Sequence, residues 1–284
     1  MAVRRVKEWA TRVWAVSLTI LVLVAGLVAI GVWGWPGRPG SAAPKLGLFV
    51  ARENSAAITA LGATLKVTVQ MMTVYADGPA WTTYSDPPAT SLQLLLGVGE
   101  VTPGEARTIG HRLVSTGHAN TIIRIMWEMN GNSFPWGVQA LSAAKYIAVY
   151  RAAERAFAAV PGNHFQYVWN LNAGSVAPGR TEFDTYPGNA YVSNIGIDFY
   201  DFHDDSVVPP ILAFAAAQGK PVSFDEWGLN GRDDPAFINY VASVVNDPGD
   251  NVDFQAYFSD GRSKITRFPR SEAAYTSDFA RGKS

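Results

Sequence analysis

Residues 121–129 read TIIRIMWEM, residues 142–160 read SAAKYIAVYRAAERAFAAV, and residues 164–172 read HFQYVWNLN. The first and third are apolar runs of strand length. The stretch between them has apolar residues at helical spacing, opens at Ser142 and stops before Pro161. Strand, helix and strand in this order predict a parallel β-α-β unit.

The same alternation extends in both directions. Further strand-like runs are KLGLFV (45–50), KVTVQMM (66–72), SLQLLLGVG (91–99), SNIGIDFYD (193–201), KPVSFDEWG (220–228) and VDFQAYFSD (252–260). Helical stretches are PGEARTIGHRLVSTG (103–117), PPILAFAAAQG (209–219) and DPAFINYVASVVND (234–247), bounded by Pro, Asp and Gly. Eight strands with such crossovers in about 240 residues predict a closed (β/α)8 barrel, the α/β class known as the TIM barrel. Neither a dinucleotide fingerprint nor a phosphate-binding G-x-x-x-x-G-K-[ST] loop occurs.

The chain has 284 residues, 48% of them hydrophobic and 17% charged, with a formal net charge of -1. That balance gives no basic field to attract nucleic acid. With no cysteine, thiol catalysis, disulfides and cysteine-held metals are excluded. The four histidines are scattered. Only His203, in DFYDFHDD, falls near the acidic strand ends, and it has no second histidine at ligand spacing, so no metal and no cofactor are expected.

Residues 1–13 carry Arg4, Arg5, Lys7 and Arg12, and residues 14–35, WAVSLTILVLVAGLVAIGVWGW, contain no charge. The length suits one transmembrane helix, with the basic segment cytoplasmic and the remainder outside. Residues 36–44 read as a linker and 45–284 as the barrel domain. A cleaved signal peptide ending near Ala43 is the alternative.

In a barrel of this kind the chemistry sits at the C-terminal ends of the strands. There the sequence places Glu128 and Asn130 after strand four, Trp169, Asn170 and Asn172 on strand five, and Asp198, Tyr200 and Asp201 on strand six. Asp225, Glu226 and Trp227 close strand seven. A glutamate at a strand end is commonly a solvated rim charge, and a strand tyrosine commonly a core aromatic. Two carboxyls facing each other among tryptophans have a more specific use: one protonates a glycosidic oxygen while the other attacks the sugar carbon. Aromatic faces and amide side chains supply the sugar contacts. If Val222 and Phe224 share the inward face with Glu226, alternation turns Asp225 to the helix layer.

RIMWEMNGNSFPWG (124–137) resembles the strand-four signature of family 26 glycoside hydrolases, the β-mannanase family of a retaining (β/α)8 clan. YVWNLN, YPGNAYVSNIGIDFYD and SFDEWG extend the resemblance from Arg124 to Gly228. The resemblance implies Glu128 as acid/base, Glu226 as nucleophile and Tyr200 as the tyrosine that hydrogen-bonds the nucleophile. It implies Arg124, Asn130, Trp136 and Trp169 as cleft residues; Trp127 and Trp227, next to the two glutamates in sequence, are further candidate substrate contacts. Trp127 stands where the family has His, which implies an altered subsite next to the cleaved bond. The implied activity is retaining hydrolysis of a polysaccharide, favouring endo attack, without cofactor. A glycan-binding protein that has lost turnover is the alternative.

Overall fold

The computed structural model describes residues 43–50, 55–76, 91–96, 101–137, 139–174 and 181–280. The expected membrane span at 14–35 lies outside them. Eight parallel strands close into a barrel in chain order. They are β1 (Lys45–Val50), β2 (Met71–Ala76), β3 (Ser91–Leu96), β4 (Ile122–Ile125), β5 (Gln166–Asn172), β6 (Asn194–Tyr200), β7 (Val222–Gly228) and β8 (Val252–Ser259). Closure comes from β1 pairing with β8 along its whole length, Lys45 opposite Phe254 through Val50 opposite Ser259. The barrel belongs to one unit, Ala42–Ser284.

Six described helices accompany the strands: α1 (Ser55–Thr64), α2 (Pro103–Ser115), α3 (Ala143–Ala158), α4 (Val208–Gln218), α5 (Pro235–Val245) and α6 (Pro269–Phe279). Their boundaries follow local chemistry. Thr102 and Glu105 form a reciprocal capping box on α2. Ser142 caps α3 by accepting from the Lys145 amide, and Asp234 caps α5 by accepting from Phe237. Gly219 ends α4 in the left-handed region that glycine enters at little cost. Among the described residues the β5–β6 connection holds only the 3-10 turn Asn189–Tyr191, so this crossover departs from strict strand and helix alternation.

Two boundaries differ from the sequence reading. β2 begins at Met71 rather than Lys66. Lys66 adopts φ 57° after α1, and Gln70 still belongs to the lead-in, its side chain accepting from the Leu46 amide at 3.0 Å. Hence 66–70 serve the turn and the approach to the sheet. β4 stops at Ile125 because Met126 and Glu128 both take positive φ, which no strand accommodates.

Side-chain alternation divides the core. Met71, Ile122, Val168 and Phe254 form an apolar cluster separate from the large helix-side core. Ile122 and Val168 lie two residues before Arg124 and Asn170, which bond to each other, so all four share the inward face. The barrel interior is thus apolar at its base and polar above.

Candidate active site

Arg124 is fully buried within that polar level. Its Nε donates to Asn170 Oδ1 at 2.8 Å, and Nη2 donates to the same oxygen and to Asp198 Oδ2. Asp225 Oδ1 lies 3.8 Å from Nε, and Glu226 Oε2 lies 3.9 Å from Nη1. The expectation that Arg124 lines the substrate cleft is corrected here: a guanidinium with no exposed surface supports the carboxylates from below. Burial alone lowers its pKa, but the charges of Asp198, Asp225 and Glu226 outweigh that and hold it above the ordinary value.

One cation therefore serves several acids. Burial raises the Asp198 carboxyl well above the usual carboxylate range, with Arg124 opposing. Burial pushes Asp225 up to about 7, opposed by Arg124 and by the Ser223 hydroxyl, which donates to its Oδ2 at 2.8 Å. The expectation that Asp225 faces the helix layer also fails. Phe224 pairs with Ile197 and Glu226 with Asp198, leaving Asp225 as an extra residue on β7. Ser223 and Asp225 point inward, the bulge restarts the alternation, and Glu226 reaches Arg124 as well. Gly196 makes room: a Cβ there would sit 2.2 Å from Asp225 Oδ2 and 2.6 Å from Val168 Cγ1.

Above this layer, at the C-terminal ends of the strands, Glu226 accepts two phenol hydrogen bonds. Tyr200 donates to Oε1 and Tyr75 to Oε2. Both phenols are held above the normal tyrosine pKa, first by burial and then by the Glu226 charge, so they remain protonated donors. Tyr200 matches its expected place. Tyr75 was missed because β2 was read five residues early; with β2 at 71–76 it stands at a strand end, where such residues are sought.

Glu128 follows β4 in the left-handed region at φ 52°. Its amide donates to Asn170 O at 2.9 Å, and its Oε1 accepts from Asn172 Nδ2 at 2.7 Å. Burial, followed by the charge of Glu226, raises its pKa to about 7, while Arg124 and the Asn172 bond oppose the rise. Asn130 is buried and does not line the cleft directly. It donates to Asn172 O at 2.7 Å and accepts from the Asn172 amide at 2.9 Å, fixing the residue that bonds Glu128.

The expected tryptophan platforms need correction. Trp169 and Trp227 are fully buried. Trp169 packs against Tyr186 and Phe214, and Trp227 against Phe237, Tyr257 and Tyr275, all on the helix side. As strand neighbours of inward residues they must point outward. Trp136 is buried too, stacked on Phe134 with centroids 4.7 Å apart, and donates through Nε1 to Trp127 O at 2.7 Å. Trp127 is nearly buried and presents its ring edgewise to Tyr75 at 6.4 Å. The aromatic wall around the glutamates instead includes Phe49, stacked on Phe258 at 4.5 Å, and both rings contact Tyr75 edgewise. Among the described residues no cluster of His, Asp and Glu is arranged to hold a metal ion.

Residues 111–239 match the family model described as Glycosyl hydrolase family 26. Endoglucanase H of Acetivibrio thermocellus is 24% identical over 182 residues, 57% of this chain; the chain spans only 20% of that relative's length. An endo-beta-1,4-mannanase double mutant from Cellulomonas fimi superposes with TM-score 0.64 at 15% identity, covering 83% of this chain and 71% of that one. The catalytic domain of a Bacillus sp. JAMB-750 endo-beta-1,4-mannanase gives 0.60 at 17% identity, covering 84% and 87%. These structural likenesses show the fold.

Proposed function

We propose that this chain, whose residues 111–239 match the model of Glycosyl hydrolase family 26, cleaves a β-linked polysaccharide with retention, Glu226 attacking the anomeric carbon and Glu128 protonating the departing oxygen. The carrying observation is the contrast between the carboxyls. Glu226 accepts from two phenols and faces Arg124, an environment built for an anion. Glu128 is buried beside Glu226 with its pKa raised to about 7, so a large share of it carries the proton at neutral pH.

The cycle needs no further group. Attack by Glu226 forms a glycosyl ester as the glycosidic C–O bond breaks, and the Glu128 proton passes to the leaving oxygen. Glu128, now the base, takes a proton from water as that water's oxygen displaces Glu226 from the sugar. Tyr75 and Tyr200 lose their acceptor charge while the ester exists and regain it on release. Retention requires carboxyls about 5–5.5 Å apart. That Glu226 raises the Glu128 pKa, and that Arg124 acts on both, supports a shared small volume. The named activities of the relatives, endoglucanase and mannanase, make β-linked glucans and mannans the first substrates to try. We further place the barrel outside the cytoplasmic membrane, carried by an anchor at residues 14–35, on the uncharged length of that segment and its basic flank.

Chemical rescue tests the roles. On an activated aryl glycoside, Glu128→Ala should still form the glycosyl ester, then stall for lack of a base. Azide, which needs no deprotonation, should restore turnover and give the β-glycosyl azide. Glu226→Ala should be inactive, with azide giving at most the α-azide. Unchanged hydrolysis by both variants would overturn the assignment of these two residues, and a wild type that binds glycans without cleaving any would favour the glycan-binding role.

A further inference from the structure

Phe202 is the large hydrophobic residue left exposed among the described residues, with 59% of its surface accessible. A single exposed ring alone means little. Its placement supplies the argument. It lies two residues beyond Tyr200, just past the C-terminal end of β6. Its ring is within 9° of parallel to Tyr200, with centroids 5.8 Å apart, and Tyr200 donates to the nucleophile candidate Glu226.

The ring is also held in place. His203 backs it at 4.2 Å, and the His203 amide donates to Tyr200 O at 3.0 Å. His203 is itself confined: its ring lies nearly parallel to Phe199 at 6.5 Å, and a Cβ on Gly174 would come within 3.0 Å of its Nδ1. The phenyl group is therefore oriented in advance, with one side turned to water beside the mouth.

Such a ring suits the C–H face of a pyranose, which stacks on aromatics while its hydroxyls stay hydrated. We propose that Phe202 is a stacking platform for a sugar unit beyond the one attached to Glu226, making this the β6 side of an extended glycan-binding cleft. The inference rests on the glycoside hydrolase reading above. It names a subsite that lengthens the recognised chain, and β-linked hexopyranose chains are the ligand class.

The test uses the full chain in detergent with Phe202→Ala and Phe202→Trp. Kinetics are measured on β-linked gluco- and manno-oligosaccharides of increasing length and on a short activated aryl glycoside, together with retardation in gels containing mannan or β-glucan. For Phe202→Ala, KM should rise roughly fivefold to tenfold on long chains, the size of one aromatic contact, with kcat nearly unchanged. The aryl glycoside should be processed at the wild-type rate, and gel retardation should weaken. Phe202→Trp should restore both. Equal losses at every length would make Phe202 a structural residue and overturn the platform. An active wild type with Phe202→Ala indistinguishable at every length overturns this inference alone. A wild type that neither cleaves nor is retarded by any of these glycans overturns the hydrolase reading, and the platform with it.

Discussion

Glu128→Gln should make the domain more stable above neutral pH while removing its acid. In the folded chain burial and the Glu226 charge raise the Glu128 pKa from 4.5 to about 7. The folded value exceeds the unfolded one, so between pH 4.5 and 7 the folded state binds more protons and stability falls as pH rises. Below pH 4.5 the carboxyl is neutral in both states and costs nothing. Above pH 7 the full penalty applies, about 3 kcal/mol at 1.36 per unit. The side chain keeps a partly exposed edge, so water recovers some of this and about 2 kcal/mol is the expected size. Glutamine has no charge to bury and keeps the oxygen that accepts from Asn172 Nδ2 at 2.7 Å. Thermal melts at pH 4 and pH 8 check the argument. The variant should match the wild type at pH 4 and exceed it at pH 8 by roughly 4–8 °C, given about 2–4 °C per kcal/mol for a domain this large. The same offset at both pH values, or a loss at pH 8, would refute the buried and protonated Glu128.

Gly196→Ala should cost on the order of 2–3 kcal/mol, because its Cβ would fall 2.2 Å from Asp225 Oδ2 and 2.6 Å from a β5 side chain inside a closed wall. Denaturant midpoints measure it, and a wild-type midpoint would show that Asp225 can leave the interior freely. Fractionation of the native host should recover the chain with the membrane. Soluble exported protein starting near Pro44 would show residues 14–35 to be a cleaved signal.

The strand order, four helices and the two glutamates were legible because each rests on local signals: apolar runs, Pro and Ser or Asp at helix starts, and a motif around each acid. What escaped depends on relations between strands. SAAITALGAT, now α1, is apolar almost throughout and has no amphipathic stripe to declare it. A single residue inserted opposite a neighbouring strand reverses the facing of all that follows. This is why strict alternation counted from an inward Glu226 sent Asp225 outward, while the bulge opposite β6 lets Asp225 and Glu226 both face inward. The tryptophans show the opposite error. Trp169 and Trp227 were both expected at the substrate, but a large ring on an outward strand position is better covered by a helix, and both are buried against helix residues. Phe49, Tyr75 and Phe258 instead form the aromatic cluster beside Glu226, and their strand-end positions were the available signal.

The segment Ile125 to Asn130 joins these observations. Met126 and Glu128 take φ of 50° and 52°, a conformation that costs a residue with a side chain roughly 1–2 kcal/mol each. Such strain persists only where surrounding contacts over-determine it. Here they do: Tyr146 Oη donates to Met126 O at 3.1 Å, Trp136 Nε1 to Trp127 O at 2.7 Å, and the Glu128 amide to Asn170 O at 2.9 Å. Continuing β4 as a regular strand would have placed Glu128 on the same face as Arg124 and Met126. The two left-handed residues break that order. Met126 goes to the helix-side core, while the Glu128 carboxyl stays within the electrostatic reach of Glu226 and Arg124. The same bend buries the carboxyl enough to keep its proton near pH 7. Geometry and proton affinity therefore have one structural cause, and Trp136 helps hold that bend through its bond to Trp127 O.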